Sequence, residues 1–281
     1  MRRRWALKSK ETRILAAPYL IWMIGFIVIP LFVILYYGLI NADGQFTFAN
    51  VLAIGRPEHL KALWLSIVLA AISTVICLLL SYPLGLILRT KKVGAGSFVI
   101  FIFILPMWMN FLLRTLAWQT LLEKKGVINA LLTALHLPNQ HIINTPAAIV
   151  FGMVYNFLPF MILPIFNTLA KIDDNTINAA KDLGANFWQT LVRVIIPLSV
   201  PGIVSGVTMV FVPALTTFVV SDMLGGGKIL LIGNVVEQEF MRTADWNLGS
   251  GLSLVMMIFV IVSMVVLSRF DTDSTGRGTM L

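Results

Sequence analysis

Charge and sulfur chemistry are scarce in this chain. Of 281 residues only 12% are charged, while 58% are hydrophobic and the mean hydropathy is +0.89. Soluble globular proteins carry about a quarter charged residues, so this chain is solvated mostly by lipid. Its one cysteine, Cys77, lies inside an apolar run, which excludes a disulfide framework and a thiolate metal cluster. His59, His136 and His141 fall between apolar runs without metal-ligand spacing and read as solvated loop residues. There is no HExxH, no serine elbow and no acid within any apolar run. Gly225-Gly226-Gly227-Lys228 faintly suggests a phosphate loop, but Asp222 stands where its first glycine should be and Ile229 where Ser or Thr should meet magnesium. The chain therefore reads as non-catalytic, with no metal and no cofactor of its own.

What is present is a series of long apolar runs: Ile14–Ile40, Ala62–Leu88, Ser97–Leu122, Pro146–Ala170, Ile195–Val220 and Gly249–Ser268. Each reaches the ~20 residues that cross a bilayer core. None alternates like a barrel strand, and lipid satisfies no backbone hydrogen bonds, so each is read as a helix. The prediction is an all-α integral membrane protein with six spans, kinked at Pro30, Pro83, Pro106, Pro159, Pro164, Pro201 and Pro213. Residues 1–13 form a basic start, and 14–40 is too long for a signal-peptide core, so it reads as an uncleaved first span. Residues 62–268 form a five-helix core, and 269–281 a tail.

Basic residues orient the spans. With both ends cytoplasmic, the inner segments hold fourteen basic and six acidic residues, the outer ones six basic and seven acidic. Arg114 remains within a span, where it reads as an arginine reaching out to the interface. The net charge of +8 is thus a topology signal and implies no nucleic acid.

One inner loop, Lys171–Pro197, is built for two short helices joined by a glycine. Asp173 or Asp174 caps the first, which carries Ile177, Ala180 and Leu183 on one face and stops at Gly184. Asn186 with Gln189 starts the second, and Pro197 marks its end. Paired surface helices between two spans form a docking device.

This loop resembles the signature of permease subunits in binding-protein-dependent ABC importers: E-A-A, three residues, G, nine residues, I, one residue, L-P. Here Asn178-Ala179-Ala180, Gly184, Val194, Ile196 and Pro197 hold those places, with Asn178 replacing the glutamate. The resemblance implies a type I importer permease fold in the bacterial inner membrane. It also implies that this loop is the coupling helix on an ATPase subunit, through Asn178, Ala179, Ala180, Asp182, Leu183, Gly184 and Pro197. Phe218–Lys228, Leu231–Val236, Pro106–Asn110 with Arg114, and Asp245-Trp246 further resemble spermidine/putrescine permeases. The implied partners are a second permease subunit, two ATPase subunits that use ATP and magnesium, and a solute-binding protein. An importer permease for iron or another small organic solute is the alternative. A self-sufficient secondary transporter is disfavoured, since no repeat and no acid within a span is evident.

For a cationic solute the sequence offers acids near a pore mouth, which concentrate cations. Residues 221–248 hold Asp222, Glu237, Glu239 and Asp245 against Lys228 and Arg242. The glycines at 225–227 let Lys228–Phe240 fold back, with Leu231, Ile232, Val235 and Val236 towards the bundle and Glu237 and Glu239 near water. Trp246, Trp108 and Asn110 complete the candidate solute path, although Trp108, Trp118 and Trp246 also fit an interfacial aromatic belt.

Overall fold

The computed structural model describes residues 17–91 and 98–276, and every regular element among them is helical. The predicted basic residues Arg2, Arg3, Arg4, Lys8, Lys10, Arg13, Lys92 and Arg277 lie outside the described residues. Two compact units divide the described residues: 17–56 with 238–257, and 57–91, 98–237 with 258–276.

In the smaller unit, helix α1 (Ala17–Gly38) contains a π-helical turn, Ile24–Val28, directly before Ile29-Pro30. The wide turn lets the Ile29 N–H bond Ile24 O, and proline then stands where no helical donor is required. The end of α1 is satisfied by side chains: Asn50 Nδ2 donates to Gly38 O at 3.4 Å and Asn247 Nδ2 to Tyr37 O at 3.2 Å, and both also reach Ile40 O just beyond the helix, at 2.8 and 2.6 Å. Gly38 permits the close approach here, since a Cβ would lie 3.2 Å from Gly251 N and 2.6 Å from Leu254 Cδ1.

In the larger unit, helix α2 (Pro57–Thr90) is followed by α3 (Phe98–Trp108), α4 (Phe111–Leu122), α5 (Val127–Ala134) and α6 (Pro146–Ala170). Then come α7 (Asp174–Asp182) and α8 (Phe187–Thr216). Helices α2, α6 and α8 pack on one another around a core that includes Ala70, Cys77, Met153, Ile165 and Val210. Small residues bring the backbones close, as in lipid-embedded bundles generally. Gly85 faces Ile165 and Leu169, and a Cβ on Gly202 would meet Pro164 O at 2.8 Å.

Five helices are long and apolar enough to cross a membrane, and the third predicted span makes a sixth only if its broken halves count as one. Expected as one helix over 97–122, that span bends by 97° between Trp108 and Phe111. The cause is local. Met109 N turns back to Pro106 O at 3.2 Å, and Asn110 Oδ1 accepts Leu112 N at 2.9 Å, starting α4 afresh. Elsewhere the helices continue through their prolines.

The fifth span also differs from expectation. The predicted short helix from Asn186 does not end at Pro197; it runs straight on as α8 to Thr216. A second π-helical turn, Leu191–Ile195, precedes Ile196-Pro197 and absorbs the missing donor as at Pro30. The chain breaks instead at Thr217, then forms α9 (Val219–Gly225), α10 (Ile232–Met241) and α11 (Trp246–Gly276).

Candidate functional site

Helix α7 and the start of α8 form the loop that the sequence singles out. Asp173 is the cap, its Oδ1 accepting Asn175 N at 2.9 Å, and Asp174 supplies a second acid in the first turn. The helix stops in a Schellman motif: Gly184, at φ +81°, donates to Lys181 O at 2.8 Å and Ala185 N to Ala180 O at 3.1 Å. Asn186 and Gln189 then form the predicted capping box, with both bonds at 2.9 Å. Ile177 is buried with Leu191 and Ile195.

Leu183 does not share that buried face. It is 89% exposed, because six helical residues beyond Ile177 the chain has turned about 120° away from it. Asn178, Ala179, Asp182, Gly184 and Pro197 are exposed as well, and Ala180 is half-buried. With Leu183, the exposed Phe187 and Trp188 put an apolar patch on an otherwise polar loop. The sequence signal for these two aromatics is their place directly after the Asn186 cap.

Arg89, one of the basic residues of the inner side, stands in the last turn of α2. Arg89 Nε donates to Leu169 O at 2.8 Å, and its Nη2 donates to Ile172 O and Asp174 Oδ1, both at 2.9 Å. This is the ion pair found among the described residues.

The fold-back after α9 exists. Gly226 and Gly227 adopt φ +61° and +67°, and a Cβ on Gly226 would collide with the Asn144 side chain. The following helix begins at Ile232 rather than Lys228. Leu231 and Ile232 are fully buried; Val235, Val236, Glu237 and Glu239 are half-buried. Asn234 organises the turn: Oδ1 accepts from Ser221 Oγ and from Leu231 N at 3.1 Å, and Nδ2 donates to Phe218 O at 3.1 Å. Ser66 Oγ of α2 accepts Ile232 N at 2.8 Å.

The candidate path residues divide by unit. In the larger one, Asp222 is exposed on α9, Trp108 is exposed beside Phe101, and Asn110 is the cap of α4. In the smaller one, Asp245 Oδ1 caps α11 by accepting Leu248 N at 2.9 Å, and Glu239 Oε2 accepts from Thr243 Oγ1 at 2.7 Å. Trp246 packs against Phe240 and Tyr37, with ring centres 5.4 and 6.3 Å away.

Two sequence expectations fail on burial. His59 is 5% exposed, drawn into the first turn of α2 instead of lying in a solvated loop. Arg114 does not reach outward: it is 6% exposed, its guanidinium 5.9 Å from the centre of the Tyr155 ring. Trp118, one turn further along α4, packs edge-on to Tyr155 and Phe151 and pulls that face of α4 onto α6.

Residues 81–272 match the family of binding-protein-dependent transport system inner membrane components. The chain belongs to that family and is a multi-pass membrane subunit of an ABC importer, with ATP hydrolysis on a separate subunit. It is 34% identical to the spermidine/putrescine transport system permease protein PotB of Haemophilus influenzae, covering 94% of this chain and 95% of that one. To PotB of Escherichia coli strain K12 it is 34% identical, over 88% and 93%. Its fold matches, at 16% identity and a TM-score of 0.75, a bacterial ABC transporter involved in the import of the acidic polysaccharide alginate, over 97% of this chain and 98% of that one.

Proposed function

We propose that this chain forms half of the translocation path of an ATP-driven polyamine importer. The carrying observation is the 34% identity, over nearly the whole chain, to permeases named for spermidine and putrescine. Both ends, residues 1–13 and 269–281, and the loop 171–197 lie on the cytoplasmic side, as the excess of basic residues there argues. The loop seats in the ATPase subunit through Asn178, Ala179, Ala180, Asp182, Leu183, Gly184 and Pro197. Its exposed apolar patch, where a soluble surface would be polar, supports that reading. This chain holds no nucleotide; ATP and magnesium are used by a pair of PotA-like subunits, alongside a PotC-like second permease and a PotD-like solute-binding protein.

The solute meets acids and aromatic faces: Asp222, Glu237, Trp108 and Asn110 of the larger unit, and Glu239, Asp245 and Trp246 of the smaller. Separated ammonium groups suit spaced carboxylates and ring faces better than one deep site. Uptake of labelled spermidine and putrescine in a strain lacking this chain, with and without a restored copy, is the test. Loss and recovery of uptake are expected. Unchanged polyamine uptake with loss of iron or another organic solute would reassign the importer.

A further inference from the structure

Helix α7 is tied to the long helices by two contacts of different kinds. One is apolar: Ile177, 7% exposed, sits in the buried cluster with Leu169, Leu191 and Ile195. The other is polar and centres on Arg89, in the last turn of α2. Leu169 O, which accepts from Nε, is in the last turn of α6, where the helix dipole is negative, and Ile172 O lies in the short link from α6 to α7. Asp174, its third acceptor, is in the first turn of α7. One guanidinium thus joins the ends of three helices. Its side chain is 12% exposed against 65% for Asp174, so the carbonyl bonds are shielded while the ion pair opens to water.

We propose that Arg89 is the positioning residue that couples movement of α7 to the α2–α6 pair. The proposal rests on the reading of α7 as the element that docks on the ATPase. Apolar contact at Ile177 is non-directional and tolerates sliding. Hydrogen bonds to two fixed backbone carbonyls set both distance and direction. Arginine suits this place because its rigid planar fork can hold Nε and Nη2 on separate acceptors at once, whereas a lysine ammonium keeps the charge without the fork. The ion pair opens to water and adds little to stability, and Ile177 still packs α7 into the buried cluster, so replacing Arg89 leaves folding and assembly intact and disconnects the ATPase cycle from solute movement.

The test uses the complete importer in proteoliposomes, with its solute-binding protein, and reads solute moved per ATP hydrolysed together with the ATPase subunit retained on purification. Arg89→Gln is expected to retain the ATPase subunit while transport per ATP falls about tenfold, within the usual range of coupling between sites. Arg89→Lys recovers part of the loss, and Asp174→Asn, which spares both carbonyl bonds, loses less than Arg89→Gln. Wild-type transport per ATP in Arg89→Gln overturns the proposal. So does loss of the ATPase subunit or of the folded complex in Arg89→Gln, which would make Arg89 a structural support. Leu183→Asp in the same preparation separates the two readings. If it keeps both ATPase binding and transport, the docking reading itself fails.

Discussion

At the scale of single residues, backbone conformation gives the sharpest expectations. Gly184 sits at φ +81°, yet a Cβ there would meet nothing within 4 Å. Any cost of substitution is therefore conformational and not steric. Gly184→Val should strain the turn by about 1–3 kcal/mol, whereas Gly184→Asn, which tolerates the left-handed region, should be nearly neutral. Under the docking proposal, the valine variant inserts normally but loses its ATPase subunit on purification, and the asparagine variant keeps it. Equal loss in both would mean that side-chain volume, not backbone conformation, matters at 184. The acids separate in the same way. Glu239 is engaged by Thr243 and Asp245 by the start of α11, while Asp222 is exposed without an ion-pair partner among the described residues. Asp222→Asn is expected to slow spermidine uptake severely at low and high salt alike, as for a carboxylate that faces the path. Glu239→Gln should give a mild defect that fades with salt, because a half-buried carboxylate already held by Thr243 acts on the solute only through its field, which salt screens. A salt-sensitive defect in Asp222→Asn would move that residue to the rim.

At the scale of elements, two devices recur. A π-helical turn before Ile-Pro appears in both α1 and α8, and each time it lets a long helix run past a proline that would otherwise break it. The fold-back from α9 to α10 depends instead on one buried amide. Asn234, 3% exposed, bonds Ser221, Leu231 N and Phe218 O at once. Asn234→Ala would leave those buried groups unmatched at a cost on the order of 2 kcal/mol, enough to loosen residues 226–231. Limited proteolysis should then cut the variant within that turn and spare the wild type. Equal resistance would show that the glycine turn and Ser66 hold the fold-back without the amide.

At the scale of the whole molecule, the expectation concerns sidedness. Six basic residues and seven acids on one side, fourteen and six on the other, predict that reporters fused after Arg89 or Gly184 are cytoplasmic. Reporters fused after Lys125 or Gly226 should be external. The reverse pattern would put α7 out of reach of any ATPase and remove the docking proposal. The bend at Trp108–Phe111 sharpens the value of the Lys125 fusion, since the third span is two helices at 97° and not one straight rod.

Much of this protein is legible from the chain alone, because its determinants are local. Hydropathy marks the long helices, since each must bury its own backbone bonds in lipid. Gly184, Asn186 with Gln189, and the glycines at 226 and 227 mark turns that depend only on nearby residues, and all of them form. Asn110 and Pro106 held the signal for the break in the third span, but apolar composition masked it. What needed the tertiary structure is whatever depends on distant residues meeting. Leu183 faces out because Ile177 has already claimed the core. Arg114 turns inward over the Tyr155 ring of α6, and His59 is buried in the first turn of α2. Arg89 and Asp174, 85 positions apart, become a pair because packing of α2 on α6 brings the ends of both helices to the start of α7.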